Sequence, residues 1–263
     1  MTVQCILCGL SAAVTAILYG TLPALSLWWL APLLIGSYAT IVIWMLLSVY
    51  LVSCILRGAK PTKARYSFYR LFSILVGWVA SLCGTRVHSE GLDRLPTDRP
   101  CLLVGNHLSN LDPIVAIAAL RDHETAFISK PENFKIPLIG LILLNLNFLP
   151  IDRENPRNAV TTIKTAAQHI TERALCVGIY PEGTRNKAGE GLLPFHNGSF
   201  KIATAAKCPV AVMTVRYEKG RFPYRRIARL KIVEVLDADY VTANRTDAIS
   251  ERARAIIEND LKK

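Results

Sequence analysis

Cys101-Leu102-Leu103-Val104-Gly105-Asn106-His107-Leu108-Ser109-Asn110-Leu111-Asp112-Pro113 leads from an apolar run, through a polar loop bearing an imidazole and a carboxylate, into a proline. The apolar run reads as the end of a buried strand, and Pro113 suits the first turn of a helix reaching about Leu120. On a regular helix His107 and Asp112, five positions apart, would point about 140° away from each other. A break must lie between them, and Pro113 supplies it by pushing the residue before it out of the helical region. Asp112 then reads as the N-cap of the helix, with His107 in the strand-to-helix turn, where its ring can fold back toward the carboxylate.

The same alternation continues outward from this unit. Strands are expected at Cys101 to Val104, Thr125 to Ile128, Ala174 to Tyr180, Val210 to Tyr217 and Arg229 to Val235. Helices are expected at Pro113 to Leu120, Pro137 to Leu146, Pro156 to Arg173, Ser199 to Ala206 and Thr246 to Leu261. The fold class is therefore α/β: a mostly parallel sheet flanked by helices over residues 85–263, with functional loops at the strand C-terminal ends. No internal repeat or low-complexity linker interrupts it.

Residues 1–56 are of another kind, with no Asp, Glu, Lys, Arg or His from Met1 to Leu56. The stretch is too long for one membrane span and long enough for two, and Pro23 divides it. It reads as a transmembrane helical hairpin, one helix at about Gln4 to Leu22 and the other at about Leu27 to Leu56. A cleaved signal peptide is not expected, because no basic residue opens the chain and the apolar run outlasts a signal core. Residues 57–84 form a basic juxtamembrane segment. Arg57, Lys60, Lys63, Arg65 and Arg70 place the rest of the chain, by the positive-inside rule, on the cytoplasmic face of the cell membrane. Within the segment, Phe68, Leu71, Phe72, Leu75, Trp78, Val79 and Leu82 recur at helical spacing. They mark either an amphipathic helix lying in the membrane interface or a core helix of the next domain.

All 31 basic and 20 acidic residues follow Leu56, so the net charge of +11 belongs to the soluble part. A basic domain tethered at a bilayer suits an anionic lipid surface or a phosphorylated substrate. Nucleic acid is not expected, since no nucleic-acid motif is visible. The seven cysteines lie in or beside apolar runs with no histidine cluster near them, so neither a metal site nor a disulfide framework is expected.

Two clusters carry chemistry. His107 with Asp112 has the composition of a general base and its orienting partner, set against a loop histidine and a plain helix cap. Tyr180-Pro181-Glu182-Gly183-Thr184-Arg185 closes an expected strand. Its glycine allows close backbone approach, its threonine offers a hydroxyl, and its arginine offers a planar fork matched to phosphate. The alternative is a surface turn with Glu182 paired to Arg185.

Taken in order, Asn106-His107 to Asp112, then Lys130, Pro137 and Gly140, then Ile151-Asp152-Arg153, then Glu182-Gly183-Thr184-Arg185, Phe195-His196-Asn197-Gly198-Ser199-Phe200 and Pro209-Val210 resemble the 1-acyl-sn-glycerol-3-phosphate acyltransferase family. The resemblance covers roughly Gly84 to Tyr217. It implies transfer of a fatty acyl group from an acyl-CoA or acyl carrier protein thioester to the free hydroxyl of lysophosphatidic acid, giving phosphatidic acid. The thioester is a co-substrate, and no cofactor or metal is implied. His107 would be the general base and Asp112 its partner, with no covalent enzyme intermediate. A free histidine titrates near ~6.5, so a neutral imidazole is at hand at cytosolic pH. The resemblance assigns Glu182, Gly183, Thr184 and Arg185, with Arg153, to the acceptor's phosphate, and Lys130 extends the set. The oxyanion stabiliser is expected among backbone amides near Pro113. Leu138 to Leu149 lines an acyl-chain tunnel or forms a packed core helix. The chain departs from the family at His196 and Asn197, where many relatives carry lysines, and at Val212, where a second proline is common. Alternatives are an acyltransferase for another lysophospholipid or a lyso-aminolipid, a lipid hydrolase using Ser109, and a non-enzymatic membrane scaffold. The lack of a Gly-x-Ser-x-Gly elbow weighs against the hydrolase.

Overall fold

The computed structural model describes residues 3–21, 29–57, 63–152, 156–186, 191–222 and 224–262. Helix α1 (Val3–Thr21) and helix α2 (Leu30–Leu56) form the apolar hairpin. They are clasped midway by hydroxyls: Ser11 Oγ lies 2.7 Å from Ser37 Oγ, and Thr15 Oγ1 lies 3.1 Å from the same atom. Of the described helices, α2 alone is long and apolar enough to cross a membrane, with a mean hydropathy of 2.4. Pro23 and Lys60 lie outside the described residues.

Helix α3 (Lys63–Leu82) resolves the choice left open for the basic segment. Tyr69, Phe72, Leu75, Val76 and Ala80 are buried, and most of them share one core with Met45, Val49, Val52 and Leu56 of α2. It is thus a core helix, with Tyr66, Leu71 and Ile74 left facing outward. A division of the chain at residue 56 would cut through this cluster. Arg65 differs from the basic exterior expected of it. Its side chain is buried, Nε donates to Glu124 Oε2 at 2.8 Å, Nη2 pairs with Oε1, and Nη1 donates to the Leu56 carbonyl at 3.1 Å. A guanidinium this deep is retained where a bidentate carboxylate and a helix-end carbonyl both satisfy it.

Among the described residues seven strands follow: β1 (Thr85–Glu90), β2 (Leu102–Gly105), β3 (Thr125–Ser129), β4 (Leu149–Pro150), β5 (Cys176–Ile179), β6 (Val210–Lys219) and β7 (Arg226–Leu236). They lie in the order β1-β7-β6-β2-β5-β3-β4. Every neighbouring pair is parallel except β6 with β7, an antiparallel pair whose register shifts between Val212 and Met213. Strands β1 and β4 are additional to the expected set. Thr85–Glu90 has one buried position at its start, and β4 is two residues long, so neither presents an apolar run. Strand β5 starts two residues later than expected, because Ala174 is left-handed (φ 53°).

Helices cover both faces. Helix α4 (Asp112–Ala119) and helix α5 (Ile139–Asn145) join α2 and α3 on one face. Helices α6 (Pro156–Arg173), α7 (Lys201–Ala206), α8 (Ala238–Ala243) and α9 (Thr246–Leu261) cover the other. There Ile170, Ile202, Val241, Ile249 and Ile257 pack on Leu102, Val104, Val177 and Val210. Strand β2 is buried at every position, as the central strand of a two-sided parallel sheet must be.

Candidate active site

Strand β2 ends at Gly105, and the chain turns over the C-terminal edge of the sheet at its most buried strand. Asn106 fixes the exit. Its Nδ2 donates to the Val215 carbonyl at 2.9 Å and its Oδ1 accepts the Val215 N–H at 2.8 Å. The side-chain amide thereby extends the β2–β6 ladder by one rung and satisfies two backbone groups that the strand end would leave unpaired.

His107 is held from every side. Its N–H donates to Glu182 Oε1 at 2.7 Å, and its carbonyl accepts the Asn186 N–H at 2.7 Å. The ring stacks on Tyr180 with centroids 4.4 Å apart and planes 13° apart, and Tyr180 in turn stacks on Phe127 at 5.7 Å. Gly178 makes room for that stack, since a Cβ there would lie 2.2 Å from Phe127 Cε1. Nδ1 lies 2.7 Å from Asp112 Oδ2.

Asp112 is fully buried and meets four donors. Oδ2 accepts His107 Nδ1–H and the N–H groups of Leu108 at 2.7 Å and Ser109 at 2.8 Å. Oδ1 accepts the hydroxyl of Tyr217 at 2.6 Å. A carboxylate surrounded by donors leaves His107 Nδ1 only the donor role, so the neutral ring carries its lone pair on Nε2. Burial first, and then the Asp112 charge, push the Tyr217 phenol well up, which keeps it a donor.

The expected cap is corrected by this geometry. The helix begins at Asp112 itself, with Leu111 in helical conformation at the N-cap position and no side-chain cap bond. A capping oxygen reaches forward to an N–H two or three residues on. This one reaches three and four residues back, so the 107–111 loop is wound around the carboxylate. The other oxygen belongs to Tyr217.

Glu182 faces inward. It is buried, and its two oxygens accept backbone N–H groups, from His107 at 2.7 Å and from Leu193 at 3.0 Å. Burial pushes its carboxyl up, and these two bonds oppose the shift. The carboxylate is turned inward and engaged by two amides, and it braces the loop that carries His107. It does not pair with Arg185. Gly183 has φ 74°, a left-handed turn that glycine adopts without strain, and the turn sends Thr184 and Arg185 outward into solvent. Lys130 is exposed at the end of neighbouring strand β3, on the same sheet edge as Arg185. Arg153 lies outside the described residues.

On α5 and the residues that flank it, Leu146 is buried and Ile142 and Leu143 pack on the core, while Leu138, Ile139, Leu141 and Leu144 face outward. The expected helix from Pro137 is shortened because Leu138 has a positive φ of 65° in a tight turn that Ile139 N–H closes on the Pro137 carbonyl at 2.7 Å. Behind the 106–111 loop a cleft of about 580 Å³ opens between the ends of β2 and β6 and the last turn of α9, with Asn106, Leu108, Glu182, Tyr217 and Leu261 among its walls. Among the described residues, no group of three His, Cys, Asp or Glu side chains is placed to hold a metal ion.

Asn106, Tyr180 and Tyr217 are the site residues whose roles sequence reasoning missed. Asn106 and Tyr180 stood within the two motifs. Tyr217 gave no signal short of the β2–β6 pairing.

Residues 86–216 match the Acyltransferase family model. The 1-acyl-sn-glycerol-3-phosphate acyltransferase of Haemophilus influenzae is 31% identical over 212 residues, covering 77% of this chain and 87% of its own. The Escherichia coli enzyme of the same name is 31% identical over 198 residues, 72% of this chain and 78% of its own. The crystal structure of the 1-acyl-sn-glycerophosphate acyltransferase of Thermotoga maritima shares the fold, with a TM-score of 0.59 at 18% identity over 84% of this chain and 94% of that one. With the histidine–aspartate pair at the head of the matched stretch, the chain belongs to the 1-acyl-sn-glycerol-3-phosphate acyltransferase family.

Proposed function

We propose that this protein transfers a fatty acyl group from an acyl thioester, of coenzyme A or acyl carrier protein, to the free hydroxyl of lysophosphatidic acid, giving phosphatidic acid. The observation that carries the reading is the 2.7 Å contact of His107 Nδ1 with a buried Asp112, which leaves Nε2 as the free base at the sheet's C-terminal edge. Nε2 takes the hydroxyl proton as that oxygen attacks the thioester carbonyl. The oxygen–carbon bond forms, the carbon–sulfur bond breaks, and the proton passes from the imidazolium to the departing thiolate. Asp112 stabilises the imidazolium without taking its proton. The nucleophile is the substrate's own hydroxyl, so no acyl-enzyme forms.

Thr184 and Arg185, leaving β5 beside Lys130 at the end of β3, hold the acceptor's phosphate, and Arg153 joins them. Arginine pairs with phosphate bidentately, and a second cation offsets the second charge. The apolar hairpin and the outward Leu138, Ile139, Leu141 and Leu144 meet an anionic bilayer, with the catalytic domain on its cytoplasmic face.

The test gives purified protein a labelled acyl thioester and a panel of lysolipids. Wild type acylates lysophosphatidic acid, and His107→Ala, folded by circular dichroism, loses turnover by at least about 10³-fold. Hydrolysis of the thioester without transfer, or normal transfer by His107→Ala, would overturn the mechanism.

A further inference from the structure

We propose that Arg254, on α9 and beyond the stretch matched by the family model, is a positioning residue for His107, acting through the peptide of Leu192–Leu193 and the carboxylate of Glu182. The proposal rests on His107 being the base and concerns what aims it.

Each link is a hydrogen bond, the longest being those from Arg254 to the two carbonyls. Arg254 Nε donates to Glu258 Oε1 at 2.8 Å, one helical turn on, which orients the guanidinium. Its two remaining nitrogens reach consecutive carbonyls, Nη2 to Leu192 O at 3.2 Å and Nη1 to Leu193 O at 3.4 Å, and the group stands 5.8 Å over the Phe195 ring. The carbonyl of Leu192 and the N–H of Leu193 belong to one trans peptide plane and point in opposite directions. Holding the carbonyl toward α9 therefore aims the N–H away from it. That N–H donates to Glu182 Oε2 at 3.0 Å, and Glu182 Oε1 accepts the N–H of His107 at 2.7 Å.

The chain runs from α9 to the backbone of the base through one peptide and one carboxylate, with few free torsions. The guanidinium adds its charge beside a carboxylate that burial disfavours and that must accept two N–H groups. The Arg254 charge favours the ionised form of Glu182, and Arg216, Glu258 and Lys262 line the same cleft.

Helix α9 itself does not depend on Arg254. Ile249, Ala253, Ile256 and Ile257 are buried in the core, and Asp260, also buried, accepts the Thr214 hydroxyl at 2.8 Å. Loss of Arg254 is thus felt in the 191–195 loop rather than in the helix. Arg252, two residues away on the same helix, reaches Glu234 at an exposed site and serves as control.

The experiment measures kcat and both KM values for wild type, Arg254→Ala, Arg254→Lys, Glu182→Gln, the double variant Arg254→Ala/Glu182→Gln, Arg252→Ala and His107→Ala. Arg254→Ala is expected to lower kcat about tenfold or more with each KM within about twofold, because the loss falls on orientation of the base and not on substrate contact. Arg254→Lys, with the charge but without the fork, falls between it and wild type. The double variant is no worse than the poorer single variant, as members of one chain must be. Arg252→Ala matches wild type. Losses that multiply in the double variant, a wild-type kcat for Arg254→Ala, or a defect confined to KM would each overturn the relay. Turnover retained by His107→Ala would overturn the base assignment instead, so the two failures are distinguishable. Should Arg254→Ala not fold, the cycle of Arg254→Lys with Glu182→Gln makes the same comparison.

Discussion

Replacing Tyr217 with phenylalanine removes a single atom from the site and tests how the buried Asp112 is kept in place. The hydroxyl donates to Oδ1 at 2.6 Å, a short, charge-assisted bond to a carboxylate that no solvent reaches. In Tyr217→Phe the ring still fills its place beneath the Arg226 guanidinium, 5.4 Å from its centroid, so packing changes little. The carboxylate keeps three donors on Oδ2 and loses the one on Oδ1. Removing the donor of a charged, buried pair costs roughly 1.5–3 kcal/mol. For a domain of this size each kcal/mol lowers the midpoint by about 2–4 °C, so thermal unfolding in detergent should show Tm lower by about 3–12 °C. Turnover should fall less steeply, by about three- to tenfold, because the three bonds at Oδ2 still orient Asp112 toward His107. A Tm within about 1 °C of wild type would show that the hydroxyl does not hold the carboxylate. A loss of kcat near about 10³-fold, without a loss of stability, would place Tyr217 against the substrate and refute its action through Asp112.

Three further outcomes follow from the same geometry. Tyr180 has a buried hydroxyl with no hydrogen-bond partner among the described residues, so Tyr180→Phe should raise the unfolding free energy by about 1 kcal/mol or more in a denaturant titration. Arg185→Ala should raise KM for lysophosphatidic acid about tenfold or more while changing thioester KM little, read from initial rates with each substrate varied. His169 is buried with its Nδ1 unpaired among the described residues, and burial first, then Arg173, lowers its pKa to about 4. In the unfolded chain it titrates near ~6.5, so between the two values the unfolded state binds the extra proton. Its contribution is complete above pH ~6.5 and is lost as pH falls toward ~4, by about 3 kcal/mol in all. Urea titrations at pH ~7 and ~4.5 should show wild type losing more stability than His169→Gln; equal losses would refute the assignment.

The parts of this molecule legible in the sequence are those set by neighbours along the chain. The strand ending at Gly105, the non-helical loop between it and the helix that carries Pro113, and the pairing of His107 with Asp112 follow from local spacing, and the helix Pro156–Arg173 follows from its period, while Asp112 itself stays within the helix. What escaped was set by partners far away in the chain. Tyr217 meets Asp112 across 105 positions because β6 lies beside β2. The inward turn of Glu182 depends on the backbone of His107, 75 positions earlier. The capping expectation for Asp112 failed for a related reason. The helix start offered it N–H groups ahead, but the loop behind it supplied two, with His107 and Tyr217 completing the set. Arg65 looked like one more basic flank until Glu124, brought beside it by the fold, gave it a buried partner.

The two faces of the sheet divide the work in a way that explains the apolar excess on one of them. His107, Tyr180, Tyr217 and α4 lie on the face covered by α2, α3 and α5, where Leu103, Val115, Phe127 and Met213 share one core with the C-terminal half of α2. The hairpin and the base are therefore parts of one packed body, and Arg65 ties the end of α2 to Glu124 just ahead of β3. On this face Leu71, Ile74, Leu138, Ile139, Leu141 and Leu144 stay outward. The opposite face carries Arg252, Glu234 and the α9 braces, a solvated exterior. On the proposed function, a lipid hydroxyl presented from a bilayer would meet His107 from the apolar face, and the loop that carries His107 is braced from the polar one. A charge placed at Leu144 should weaken membrane binding in a vesicle sedimentation assay and leave turnover on a short-chain, water-soluble acceptor near wild type. Equal loss of both would mean that this surface supports the fold rather than the bilayer contact.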